Sequence, residues 1–349
     1  MYSRIASSSE SVRTRDLHRW LTQAYVVVRF SALGFTLLLP LLGAASAAIS
    51  PAWSEIVSLL LIGLAFHVFA YVFNDVMDLR VDRTEPLRAD SLLVQGKMTR
   101  SQGLWLAWLQ LPVAFVLALI GELPAPALAM LSVAFLSMTI YNVYGKRCRV
   151  PLLTDAVQAA GWCSLVMVGA MLRQDTVIDA GTIWLLAYLF TYVLLVNGIH
   201  GGLRDLRNDI DCGARTTAIW LGAQPKGPSA VLFSARLITY AVFLQAGLGL
   251  FVALALASFD YTAGQLLVAG ALASLLLLVS IGALFVALTR GEDRRDLVAV
   301  GAFHIVATLA VLPTLYLPRL NVTTAALMFL CFTVPVAAMY CYNGRRWCL

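Results

Sequence analysis

The sequence predicts an all-α polytopic membrane protein, and three observations carry that reading. Of its 349 residues 60% are hydrophobic and only 13% are charged, about half the charge of a typical soluble domain. Mean hydropathy is +0.81. The apolar residues are gathered into long, nearly uncharged stretches that suit spanning helices; the ten-residue alternation of an outer-membrane barrel is absent from the pattern. A single water-soluble globular domain is thereby excluded. The net charge of +6 fits cytoplasmic loops of a membrane protein, so no nucleic-acid partner is expected. Six cysteines without paired spacing point to neither a disulfide framework nor a zinc site.

The first segment, residues 1–22, is polar and basic and has no apolar core with a small-residue cleavage site, so it is not a cleavable signal peptide. Residues 23–349 are expected to form a single transmembrane catalytic domain. Apolar spans follow at 24–49, 53–78, 102–121, 124–144, 151–172, 179–202, 229–257, 263–289, 296–317 and 321–342. At about 1.5 Å per residue each can cross a hydrocarbon core of about 30 Å. The turns near Glu122 and Pro318 are the weakest breaks in this pattern. Basic residues alternate between connections. Arg4, Arg13, Arg15 and Arg19 precede the first span, and Arg80, Arg83, Arg88, Lys97 and Arg100 follow the second. Lys146, Arg147 and Arg149 follow the fourth; Arg204, Arg207, Arg215 and Lys226 the sixth; Arg290, Arg294 and Arg295 the eighth; Arg345 and Arg346 the tenth. The intervening turns hold at most single arginines, such as Arg173 and Arg319. The positive-inside rule then puts both termini in the cytoplasm, in a bacterial inner membrane.

Eight of the 19 acidic residues fall in two short segments at the cytoplasmic ends of the second and sixth spans. HVFAYVFNDVMDLRVDRTEPLRADSLLVQG holds Asp75, Asp78, Asp82, Glu85 and Asp90; NGIHGGLRDLRNDIDCGARTTAIWLG holds Asp205, Asp209 and Asp211. On a helix Asn74, Asp78 and Asp82 stand at i, i+4 and i+8, with His67 and Tyr71 continuing the stripe inward, and Asn197, Gly201, Asp205 and Asp209 make a matching stripe. Stacked carboxylates near a bilayer repel and are costly to desolvate. A divalent cation offsets that cost, and oxygen-only ligands near a phosphate suit Mg²⁺. The alternative is a set of solvated loop acids paired with neighbouring arginines, as exposed ion pairs commonly are. Two such sets, each with polar residues further into the membrane, favour a site.

The first segment resembles the NDxxDxxxD motif of the UbiA superfamily of intramembrane prenyltransferases, and RTEPLRADSLLVQGKMT resembles the basic, proline-containing loop after it. Asp205, Asp209, Gly213, Thr216, Leu221 and Gly222 are similar to the family's second motif, and YNVYGKR to its tyrosine and Lys-Arg pair after the fourth helix. The resemblance covers roughly residues 20–290. It departs in a tenth span, in Glu85-Pro86 with Arg88 where the family has a doubled Arg-Pro signature, in the bulky Tyr71, and in the extra carboxylate of Asp211. It implies a bundle of nine to ten helices around a central cavity, with both aspartate motifs at the cytoplasmic face. It implies one Mg²⁺ held by Asn74, Asp78 and Asp82 and another by Asp205 and Asp209. Lys146, Arg147, Arg83 and Arg215 are expected to grip the diphosphate of an isoprenyl substrate; Tyr71, Tyr141 and Trp162 are candidates to face the allylic cation. His67 and His200 are candidates for a base or an acceptor-facing group, whereas His304 reads as structural.

The leading function is a Mg²⁺-dependent prenyltransferase joining the isoprenyl group to a small aromatic acceptor. The alternative is a membrane terpene cyclase of the same superfamily, in which the chain's own double bond attacks the cation. A transporter would explain intramembrane polar residues but not two DxxxD sets beside loop cations at one face.

Overall fold

The computed structural model describes residues 23–347 apart from 24–25, 48, 176, 228–229 and 290–293; the basic segment 1–22 lies outside the described residues. Ten apolar helices occupy the ten expected spans: α1 Phe30–Ser46, α2 Trp53–Met77, α3 Arg100–Ile120, α4 Ala125–Tyr144, α5 Pro151–Ala170, α6 Ala180–Leu195, α7 Ala235–Ser258, α8 Ala263–Thr289, α9 Arg294–Tyr316 and α10 Val322–Trp347. Eight are long and apolar enough to cross a membrane; Phe30–Ser46 and Val322–Ala338 are shorter apolar helices. The chain is an integral membrane protein. The two weak breaks are tight turns. Glu122 has φ 52°, and Pro318 lies in the 3₁₀ turn Leu317–Arg319.

Three spans differ from their expected form. The first is interrupted: Val26 and Val27 are helical, the chain turns at Val28 and at Arg29, whose left-handed conformation (φ 45°, ψ 55°) no α-helix carries through, and α1 starts at Phe30. The seventh begins at Ala235, where the Ser234 hydroxyl accepts the Leu237 N–H at 3.1 Å and caps the helix start. Residues before it form an antiparallel hairpin, Gln224–Lys226 with Ala230–Leu232, in the register Pro225 opposite Val231. The sixth span does not stay α-helical: α6 passes into a π-helical segment, Val196–Gly201, before Gly202–Arg204.

Helices α2 and α3, α4 and α5, and α8 and α9 pack side by side, and α1 lies against α5, α2 and α10. The α1–α5 contact is backbone on backbone. A Cβ on Gly169 would sit 1.8 Å from the Pro40 carbonyl oxygen and one on Gly43 1.9 Å from that of Val166. Small residues allow such an approach, which is how helices associate where lipid removes any hydrophobic drive. Leu38, Leu42, Phe66, Phe69, Phe135 and Leu189 fill the interior. Trp105, Phe243 and Leu267 are exposed and read as the lipid-facing surface of the bundle.

Candidate active site

Each aspartate motif ends a helix and restarts it. Asp78 closes α2, and Leu79–Asp82 forms one further turn. Asp205 closes Gly202–Arg204, and Leu206–Asp211 follows. The i→i+4 ladder survives both breaks, with Asp82 N–H to Asp78 C=O and Asp209 N–H to Asp205 C=O each at 2.9 Å. The carboxylates therefore keep their stacking while the chain bends. The two turns are pinned to each other: Thr84 Oγ1 donates to Asn208 Oδ1 at 2.7 Å, and Asn208 Nδ2 donates to the Val81 carbonyl at 2.9 Å.

One cavity of about 540 Å³ receives both motifs. Asn74, Asp78 and Asp82 line it from one side, Asp205 and Asp209 from the other. Lys146, just beyond α4, bridges them, with Nζ 3.1 Å from Asp209 Oδ1 and 3.5 Å from Asp78 Oδ2. Arg204 grips Asp205 with two hydrogen bonds, at 2.8 and 2.7 Å. Arg88 Nε stands 3.8 Å from Asp82. Arg29 pairs with Asp75 and donates to Asn74 Oδ1 at 3.3 Å. Asn74 Nδ2 reaches Asn142 Oδ1 at 3.3 Å, and Asn142 Nδ2 donates to the Ala70 carbonyl at 3.1 Å, fixing the first motif against α4.

Burial pushes Asp82 up to about 6, only partly opposed by Arg88. Burial likewise pushes Asp209 up to about 6 against the pull of Lys146, and it raises Asp78. For Asp205 burial acts upward too, but the Arg204 guanidinium outweighs it and holds the carboxyl well below the usual range. Three of the carboxylates are thus desolvated beyond what their cationic neighbours offset. Among the described residues no three His, Cys, Asp or Glu side chains converge as a ready metal group. The donor chemistry still fits a hard divalent cation: carboxylate and amide oxygens on two elements, around a cavity, with negative charge under-compensated.

The remaining candidates divide. Tyr71, Tyr141 and Trp162 line the cavity. Arg29 lies over the Tyr71 ring at 5.2 Å, and the Tyr71 and Trp162 centroids are 6.2 Å apart. His67 does not line it. Its ring is fully buried behind Tyr71, with Nδ1 2.7 Å from Thr36 Oγ1 and Nε2 2.6 Å from the Val28 carbonyl. Both nitrogens are engaged, one with Thr36 of α1 and one with Val28 just before it, and neither faces the cavity. Arg83, Arg147 and Arg215 are exposed and lie outside the cavity lining. The basic groups in the lining are Lys146, Arg29, Arg88 and Arg204. Arg29 was readable in principle, as the lone charge within the first apolar span. Asp155, Gln158 and Asn197 also line the cavity. Asp155 accepts from Thr217 at 2.5 Å, whereas Gln158 Oε1 and Asn197 Nδ2 are buried without a protein partner.

Residues 33–304 match the UbiA prenyltransferase family model. Among solved structures, a UbiA homologue from Archaeoglobus fulgidus bound to GPP and Mg²⁺ superposes with a TM-score of 0.60 at 16% identity, covering 83% of this chain and 99% of that one. An apo UbiA homologue from Aeropyrum pernix K1 gives 0.58 at 16% identity, covering 80% and 97%. A digeranylgeranylglyceryl phosphate synthase gives 0.58 at 15% identity, covering 86% and 98%. A comparison with curated proteins finds no match.

Proposed function

The chain belongs to the UbiA prenyltransferase family, and from that premise we propose that it is a Mg²⁺-dependent membrane enzyme that ionises an isoprenyl diphosphate and transfers the prenyl group to a small aromatic acceptor. The observation that carries the reading is Lys146 suspended between Asp78 and Asp209, which joins both motifs around one cavity. Homologues of the same fold are described as bound to GPP or DMAPP with Mg²⁺, which supports an isoprenyl diphosphate as substrate. In this reading Asn74, Asp78 and Asp82 hold one Mg²⁺ and Asp205 and Asp209 another. Bound there, Mg²⁺ would contribute positive charge that stabilises a departing diphosphate.

Lys146, Arg29, Arg88 and Arg204 orient the diphosphate from the cavity wall. Arg29 and Arg204 already lean on carboxylates, so their charge is held in place before substrate arrives. Tyr71, Tyr141 and Trp162 present π faces to the cation and exclude water from it. Gln158 and Asn197, with unpartnered polar atoms, suit a polar acceptor. A cyclase remains the second reading, favoured by Tyr71: its ring, packed against His67 at 4.5 Å, gives the inner end of the cavity a wall that folds an isoprenyl tail back. We propose that the motif face is cytoplasmic, on the alternation of loop charge.

The test is diphosphate release from geranyl diphosphate by the purified full chain, with Mg²⁺ and with chelator. Chelator-sensitive release that is lost in Asp78→Asn and in Asp205→Asn, both still folded, supports the reading. Chelator-insensitive release in either variant refutes it. Supplying the diphosphate without acceptor separates the two reactions, since cyclic products mean a cyclase.

A further inference from the structure

A buried line of polar groups runs from the cavity wall to the far side of the bundle, and its donors and acceptors can be assigned from one end to the other. Ser280 Oγ on α8 donates to the Leu277 carbonyl at 2.9 Å, so it must accept from the Gln245 amide of α7, 2.8 Å away. That orients Gln245 Oε1 towards His304 Nε2 of α9, at 3.0 Å. A carbonyl oxygen only accepts, so His304 carries its proton on Nε2 and leaves Nδ1 as a lone pair. His304 Nδ1 stands 2.8 Å from His200 Nε2, which must then be the donor. The neutral His200 ring is left with an unprotonated Nδ1. His200 and Gly301 both line the cavity, and that Nδ1 lies against Gly301, where a Cβ would meet it at 2.8 Å. His200 is also carried by the π-helical segment Val196–Gly201, a distortion that proteins retain chiefly at functional sites.

We propose that His200 is the proton acceptor that completes the reaction, with His304 and Gln245 as positioning residues that hold its Nδ1 unprotonated beside Gly301 at the cavity wall. The inference rests on the prenyl-cation reading above. After the diphosphate leaves, a C–H bond next to the cationic centre breaks. Its electron pair becomes the double bond of the product, or restores the aromatic ring of an alkylated acceptor, and the proton goes to His200 Nδ1. The Nε2–H of the resulting imidazolium remains hydrogen-bonded to His304, whose own Nε2–H faces the Gln245 carbonyl dipole. Glycine at 301 leaves Nδ1 without the side-chain carbon that would otherwise stand 2.8 Å from it.

Two measurements on the full chain in lipid nanodiscs test this. The first labels the four histidines with ¹⁵N, assigns them by single substitution, and reads which ring nitrogens carry protons at neutral pH. We expect Nε2–H with bare Nδ1 for both His200 and His304, and a mixed tautomer at His304 in Gln245→Leu. Nδ1–H at His200 would overturn the proposal. The second uses geranyl diphosphate with Mg²⁺ and compares products that have lost a proton with alcohols formed by water capture. Their ratio should fall at least tenfold in His200→Phe and also in Gly301→Ala, whose methyl group covers Nδ1. An unchanged ratio in either folded variant overturns the base. No Mg²⁺-dependent diphosphate release from the unaltered protein would instead overturn the reaction on which the base depends, whatever the tautomers show.

Discussion

Replacing Lys146 by Met keeps the length of the side chain and removes its charge from between Asp78 and Asp209. The two contacts are 3.5 and 3.1 Å. At an effective dielectric of about 20, a unit charge at such distances interacts by about 5 kcal/mol with its partner. The lysine side chain is 26% exposed, so solvent screening brings the realised loss to about 2–4 kcal/mol. In the proposed reading the same charge faces the diphosphate, and a contact of similar length and screening there implies a comparable loss in the transition state, a drop of about 30- to 1,000-fold in turnover. A second signature accompanies it. Two carboxylates freed of their common cation attract Mg²⁺ more strongly, so the Mg²⁺ concentration for half-maximal rate should fall while the maximal rate falls too. The assay is initial-rate diphosphate release from geranyl diphosphate across a Mg²⁺ titration, on protein checked for monodispersity. Turnover within threefold of the unaltered protein, or a raised Mg²⁺ requirement, would refute the bridging role.

His67→Leu should lower stability without redirecting chemistry. It leaves the Val28 carbonyl and the Thr36 hydroxyl without a buried partner, each costing about 1–3 kcal/mol, so the thermal midpoint drops while the product pattern at low temperature stays the same. Gly169→Ala should disrupt the α1–α5 seam, because its Cβ would fall 1.8 Å from the Pro40 carbonyl oxygen and the backbone itself would have to move; loss of monodisperse protein in detergent is the readout, and unaltered stability would contradict the contact. Tyr71→Ala should change product identity or acceptor choice more than it changes diphosphate release, measured by product analysis against released diphosphate.

Most of the scaffold was legible because lipid imposes a simple rule: a long apolar stretch must be a helix. Eight helices among the described residues are long and apolar enough to cross a membrane, and they lie near the apolar stretches of the sequence; the first and seventh helices start later than hydropathy alone places them. The stacking of Asn74, Asp78 and Asp82 was legible from i, i+4 spacing, and the hydrogen-bond ladder retains it through the bend at Asp78. The sequence could not reveal where a helix stops being regular. The left-handed Arg29 and the π-helical Val196–Gly201 both carry side chains with tertiary partners, Asp75 for one and His304 for the other, which local sequence does not encode. Those irregularities bear on which polar groups reach the cavity. Arg83, Arg147 and Arg215 are equivalent to Arg88 and Arg204 as loop charges in the sequence, yet only Arg88 and Arg204 line the cavity, a difference that spacing alone does not encode. His67 sat on the right helical stripe, but periodicity says nothing about the groups waiting on α1, and Thr36 with Val28 occupies both of its nitrogens.

In the proposed reading two aspartate motifs, 127 residues apart from Asp78 to Asp205, act as one metal–diphosphate site. The direct measurement is anomalous diffraction from crystals of the full chain soaked with Mn²⁺ and geranyl diphosphate. The expected result is Mn²⁺ density at Asn74, Asp78 and Asp82 and at Asp205 and Asp209, with the diphosphate between them within reach of Lys146. Manganese at one motif alone, or a diphosphate bound away from both, would contradict the claim.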